Sequence, residues 1–280
     1  MSALNLDLIG KPLAPQRHEY TWRDAVLYAL GVGARTDGEL DYLYEGRGPK
    51  VLPTFAVVPS FRSLVDVVSV LGANPLHILH GEQTIRLVRP IPPSGAFETR
   101  GEVTGIYDKG KGALVVVSAK TTDEKGEPVF ENEFSLFVRG AGGFGGERGP
   151  EARAVEIPDR PADFSESQTT SPEQAAMYRL MGDLNPLHIA PEVGVAAGFG
   201  RPILHGLCTY GFAGRAVVRH ACKGDPGKLS SFAARFSGVV FPGDTLVTSG
   251  WRGDGGRWVV QVAKPDGSLV LSHAVAEVRP

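Results

Sequence analysis

The chain has 280 residues, 42% of them hydrophobic, with 29 basic and 31 acidic side chains and a net charge of −2. That apolar content excludes disordered and fibrous classes, and charge so evenly scattered offers no field for a polyphosphate backbone, so no nucleic-acid partner is expected. At roughly 100–200 residues per domain, the length predicts about two domains. Met1 to Gln16 lack the basic start and apolar centre of a secretion signal, and no run of about 18 apolar residues stands out as a membrane span. Two cysteines, Cys208 and Cys222, cannot supply a disulfide framework. A reducing, cytoplasmic setting without a membrane partner is the expectation.

The two halves of the sequence resemble each other at an offset of 149–150 residues. Thr21 to Gly33 lies over Ser171 to Asp183, matching Thr21 to Ser171, Tyr28 to Tyr178 and Leu30 to Leu180, and both stretches read as capped helices. Arg86 to Gly95 lies over Arg235 to Asp244, and both read as strand, proline turn, strand. Each half then ends in β-rich runs broken by Lys-Gly or Asp-Gly turns, the pattern of an antiparallel meander. The Gly-, Pro- and charge-rich stretch between the repeats reads as a linker. Domains are therefore expected over 1–145 and 166–280 with a linker over 146–165. The GGFGG string at Gly142 to Gly146 leads into no lysine or helix start, so a phosphate-cradling loop is not expected.

Where the halves differ, chemistry concentrates in the second. A helix is expected from Ser171, with Pro172 at its first position, to Asn185, where Pro186 disfavours further helix. Asp183 and His188 then share a tight turn, where a carboxylate and an imidazole can converge on one water, as acid–base chemistry requires. The competing reading is plain Asx-Pro turn chemistry with a structural histidine. The first half has Gly33 in place of Asp183, and no histidine in the ARTDGELDY that follows. Further on, His205-Gly206 opens about 16 proline-free residues, the longest helix expected in this half. Backbone N–H groups left open at its start can receive an oxyanion, although Gly206 can equally serve close packing.

The string YRLMGDLNPLHIAPEVGVAAGFGRPILHGLCTYG closely resembles the signature of the MaoC-like (R)-specific 2-enoyl-CoA hydratases, or hydratase 2. YALGVGA, YEG, LHGEQ, FSLFVRGAGGFGG and FPGDTL extend the resemblance over nearly the whole chain, in the form that carries two hot-dog domains. The resemblance implies an α+β, tandem hot-dog fold, each half a long helix wrapped by a curved antiparallel sheet. It further implies that Asp183 and His188 are the catalytic acid–base pair, that Asn185 orders them, and that the Gly206 N–H receives the thioester oxygen. Glu45, in YEG, matches a glutamate of the family's first domain that is implicated in its function, which makes Glu45 a candidate for substrate binding. The family's NPLHIDP reads here with Ala190 in place of the aspartate. No metal and no organic cofactor is implied; the partner is an acyl-CoA thioester, and the chain is expected as a monomer or homodimer.

The remaining candidates carry less information. His205 is expected to order the turn before Gly206, and Arg235 to meet CoA phosphates unless a salt bridge holds it. The apolar segment Leu52 to Gly72 is a candidate wall for an acyl tunnel. Asn74 to His77 repeats the NPLH string but falls out of register with the repeat, and His80 reads as structural or adjacent to the site. His18, His220 and His273 lack partners at metal-ligand spacing. Two rivals stay open: a hot-dog thioesterase using the same groove, and a non-catalytic acyl-CoA-binding protein. A metal hydrolase is the weakest, because no third ligand is evident beside Asp183 and His188.

Overall fold

A computed structural model describes residues 4–151 and 154–280. The first half holds strand β1 (Gln16–Tyr20), helices α1 (Trp22–Gly31), α2 (Leu40–Leu43) and α3 (Val57–Val70), and strands β2 (Ile78–Leu87), β3 (Gly95–Asp108), β4 (Gly112–Asp123) and β5 (Pro128–Arg139). The second repeats that order with β6 (Phe164–Thr169), α4 (Gln174–Tyr178), α5 (Pro191–Ala196), α6 (Gly206–His220), β7 (Leu229–Phe236), β8 (Thr245–Arg252), β9 (Arg257–Ala263) and β10 (Leu269–Val278). All ten strands form one antiparallel sheet in the order β1-β3-β4-β5-β2-β7-β10-β9-β8-β6. The order reads the same from either edge once β1–β5 are exchanged for β6–β10, so the sequence repeat is an internal two-fold. The fold is a double hot-dog.

Local sequence explains the elements. Thr21 and Asp24 close a capping box on α1, with the Asp24 carboxylate accepting from the Thr21 N–H at 2.8 Å. The hairpin turns fall at Gly110, Gly126 and Gly267, all with positive φ. The helix expected over 171–185 is shorter than the pattern suggests. Regular α-helix spans only Gln174–Tyr178, a 3-10 turn runs from Arg179 to Met181, and Gly182 ends it at φ +111°. Asp183 therefore stands beyond the helix, on the loop that follows.

Just ahead of the expected linker, the GGFGG loop at 142–146 folds around a carboxylate of the chain itself. Asp108 accepts backbone N–H bonds from Gly110, Gly143 and Gly145, which hold its pKa below the usual carboxylate value.

Residues 53–70 are long and apolar enough to cross a bilayer, contrary to the expectation from the sequence. In the fold they are a core element, with Leu64 and Val67 of α3 packed among Val103, Val115, Val117 and Phe134 of the sheet. The buried side of α3 is thereby taken up by packing. Helix α6 is enclosed on all sides from Leu207 to Val218. That includes Arg215, whose Nη1 donates to both oxygens of buried Glu39 at 2.6 and 2.7 Å, tying the second half to the first. Glu39→Leu leaves the buried cation only the longer contact to Glu166 at 3.4 Å, so it should destabilise the fold by up to about 3–5 kcal/mol. Adding Arg215→Met should recover most of that loss, as read in denaturant melts of the single and double variants; a Glu39→Leu protein as stable as wild type would show that the pair holds nothing together.

Candidate active site

Gly206 is the first residue of α6, and the residue before it, His205, sits at φ −59° and ψ 134° with no side-chain cap on the helix. No described residue accepts a hydrogen bond from the Gly206 N–H. The helix thus presents an open donor and the positive end of its dipole. A Cβ on Gly206 would lie 3.1 Å from two ring carbons of Phe236, the last residue of β7. The Phe236 ring in turn packs against the His80 ring of β2 in a tilted pair, with centroids 4.8 Å apart. One wall of the site therefore comes from the first half.

The loop after α4 brings the acid–base candidates to the same place. Asn185 donates its N–H to Asp183 Oδ1 at 3.2 Å and accepts the Leu187 N–H on its own Oδ1 at 3.0 Å, which starts the 3-10 turn Pro186–His188. The side chain of Asn185 thus sets the turn that aims both neighbours. His188 is buried and its Nδ1–H donates to the Ile203 carbonyl at 2.9 Å. Because a carbonyl only accepts, the lone pair is left on Nε2. His205 lies beside it, the two rings stacked with centroids 3.8 Å apart. The His205 Nε2–H donates to the Asp183 carbonyl at 3.2 Å, so this histidine anchors the Asp183 loop from the helix start.

Burial pushes the Asp183 carboxyl above the ordinary carboxylate value and the His188 imidazole below its own, while their mutual attraction opposes both shifts. Burial also takes His205 down to about 2 and His80 to about 4, so both rings are neutral near pH 7. Two groups pushed towards each other's pKa, next to an open helix N-terminus, make a pair suited to moving protons.

The third metal ligand found wanting in the sequence is present. One ligand atom each of Asp183, His188 and His205 lie within 4.8 Å of one another, so these three residues could hold a metal ion. The sequence missed this because Asp183 and His205 are 22 residues apart and only the fold joins them.

The other expected site residues separate from this cluster. Glu45 is exposed, at the start of a 3-10 turn after α2, and no described contact joins it to Asp183, His188 or Gly206. Its segment packs instead at the far end of α6, where the Tyr42 hydroxyl donates to the Gly224 carbonyl at 3.4 Å. Arg235 pairs with Glu82 across the β2–β7 seam, its Nε donating at 2.8 Å, so its guanidinium is held within the sheet rather than free for a phosphate. Asn74 to His77 does form the same 3-10 turn as Asn185 to His188, since Asn-Pro directs both. It lies, however, on the first half's side of the seam. Sequence reading missed Phe236, although its place after Arg235 in the ARF string was a signal; Arg179, whose charge lowers the Asp183 pKa, gave none.

Ala190, in the place of the family's aspartate, is the N-cap of α5 and leaves that helix without a side-chain cap. Ala190→Asp should therefore raise stability by about 1 kcal/mol and leave turnover unchanged. Thermal melts beside steady-state rates check this, and a variant that melts no higher would mean that capping is not what the position supplies.

Fold and site together define a double hot-dog protein with one chemically equipped half. Residues 18–140 match the MFE-2 hydratase 2 N-terminal domain and residues 153–270 the MaoC like domain. The chain is 43% identical to a Dictyostelium discoideum protein named probable enoyl-CoA hydratase 2, over 98% of this chain and 96% of that one. It is 45% identical to 3-hydroxyacyl-thioester dehydratase Y of Mycobacterium tuberculosis, over 98% of each. A solved MaoC-like dehydratase from Phytophthora capsici superposes with a TM-score of 0.89 at 34% identity, covering 98% of this chain and 97% of that one. The chain belongs to the hydratase 2 branch of the MaoC-like family.

Proposed function

We propose that the protein adds water reversibly to trans-2-enoyl-CoA thioesters, giving (3R)-3-hydroxyacyl-CoA. The observation that carries this reading is the juxtaposition of the Asp183–His188 pair with the open N–H of Gly206 at the start of α6. The names of its relatives, an enoyl-CoA hydratase and a hydroxyacyl-thioester dehydratase, support the two directions of one reaction.

The thioester carbonyl oxygen accepts the Gly206 N–H, and the helix dipole favours the negative charge that develops there. Electron density leaves the C2=C3 bond and C3 becomes electrophilic. A water held between the Asp183 carboxylate and His188 Nε2 loses a proton to the pair as its oxygen bonds to C3, and the pair returns a proton to C2. Atoms balance without any cofactor. His205 holds the Asp183 loop and backs the His188 ring, and Phe236 closes the wall beside Gly206. Leu180, Leu184, Ile189 and Val195 are exposed on the segments that flank Asp183 and His188 in the chain and offer an acyl chain an apolar surface, a better candidate than the packed side of α3. A cytoplasmic setting, a substrate that is neither nucleic acid nor membrane, and function as a monomer or homodimer belong to the same proposal. It is tested with crotonyl-CoA and trans-2-decenoyl-CoA. Loss of enoyl absorbance without free thiol supports hydration, whereas release of CoA thiol would assign the groove to a thioesterase.

A further inference from the structure

The two-fold that builds the candidate active site also builds its counterpart in the first half. Strands β2 and β7 pair Thr84 with Ala233, and the symmetry exchanges residues at that spacing of 149. Phe236 then corresponds to Leu87, His80 to Leu229, Pro202 to Pro53 and Gly206 to Val57. Leu87, Leu229 and Pro53 all line one cavity of about 340 Å³. Since β2 runs from His80 to Leu87 at ~3.3 Å per residue, this cavity lies roughly 23 Å from the acid–base cluster.

Its chemistry is gone and its recognition surface remains. The Val57 N–H is taken up by the carbonyls of Thr54 and Phe55, so no donor is left open there. At the offset of 150 that relates Thr21 to Ser171 in the helix repeat, Gly33 and Gly38 occupy the places of Asp183 and His188. The walls are apolar, from Pro53, Leu87, Ile91 and Leu229, while Lys50, Arg89 and Arg279 line the same cavity. Lys50 pairs with Asp41 at 3.0 Å and Arg89 with Asp123 at 2.6 Å. Arg279 is held by the carbonyls of Leu87, Val88 and Gly227, and no carboxylate among the described residues pairs with it. It therefore keeps an uncompensated positive charge against an apolar pocket. Asp225, the acidic residue of the lining, turns its carboxylate onto the Gly227 N–H at 2.9 Å.

We propose that this cavity is a second, non-catalytic binding site for an anionic amphiphile, a medium-chain fatty carboxylate. The chain lies on the walls and the carboxylate meets Arg279 and Lys50. The size is at the lower end for a ligand pocket, about 300–1,000 Å³, which suits one aliphatic chain. The assignment rests on charge and shape in the first half, not on the reaction proposed for the second.

Calorimetric titration of the full chain with decanoate tests it, with decyltrimethylammonium and inorganic phosphate as the chain without the anion and the anion without the chain. Decanoate should bind and neither control should. Lys50→Glu, at an exposed residue, and Pro226→Trp, which plugs the lining, should each weaken decanoate by about tenfold or more. Both should leave enoyl-CoA hydration intact, and Asp183→Asn should leave decanoate binding unchanged. The proposal is overturned if decanoate does not bind, if either control binds equally well, or if both cavity variants bind as wild type does. Loss of binding in Asp183→Asn, or displacement by enoyl-CoA, would place the ligand in the catalytic half instead. Decanoate binding that survives in a protein without hydratase activity would refute the proposed reaction while leaving this site standing.

Discussion

Asp183→Asn and His188→Ala should each lower kcat/KM for enoyl-CoA hydration by about 10²–10⁴-fold with the fold retained, the range that positioned acid–base groups supply. Asp183→Asn keeps the shape of its side chain and should melt close to wild type, whereas His188→Ala also removes a buried ring stacked on His205 and should melt somewhat lower while remaining folded. The two losses should also fail to add, because two groups acting on one water work as a unit. In wild type the rate should fall on the acid side as the pair takes up a proton. Asp183 is raised and His188 lowered by burial, so that limb belongs to the pair and not to either residue. A rate that stays flat on acidification, or single variants with full activity and normal melts, would remove the pair from the mechanism.

The second large effect concerns one hydrogen atom. Gly206→Pro deletes the proposed oxyanion donor at a helix position where proline is otherwise accepted. His205 already has the extended geometry that proline demands of the residue before it, at φ −59° and ψ 134°. Gly206→Ala is the matched control, since its Cβ meets the same Phe236 ring at 3.1 Å while the N–H remains. Relative to Ala, Pro should lose a further ~10²–10³-fold in kcat, or about 2.7–4 kcal/mol of transition-state stabilisation. Equal rates for the two variants, measured with circular dichroism to verify α6, would show that the helix start is a packing feature.

Much of the fold was legible because a repeat is a long-range signal written locally. Thr21 over Ser171 and Arg86 over Arg235 were enough to expect two like halves, and Gly206 marked the start of the enclosed helix. The loop of Asp183, Asn185 and His188 was legible too, because Asn-Pro chemistry is confined to neighbouring residues. What failed depends on contacts made only after folding. The Arg215–Glu39 pair joins residues 176 apart, and no local pattern distinguishes a buried arginine from a solvated one. His205 was expected at the helix start, yet its stacking on His188 needed the chain to return from α5. Glu45 is a candidate through resemblance alone, and the fold holds its segment at the other end of α6 from Gly206. The length of α4 was overestimated because Pro186 looked like the stop, while Gly182 ends the helix first.

The stereochemistry of the product tests the central claim most directly. With trans-2-decenoyl-CoA as substrate, chiral analysis should find 3-hydroxydecanoyl-CoA of the (3R) configuration from wild type and almost none from Asp183→Asn or His188→Ala. A (3S) product, or (3R) product formed equally well by both variants, would contradict an acid–base pair that delivers water to one face of an enoyl chain held at the start of α6.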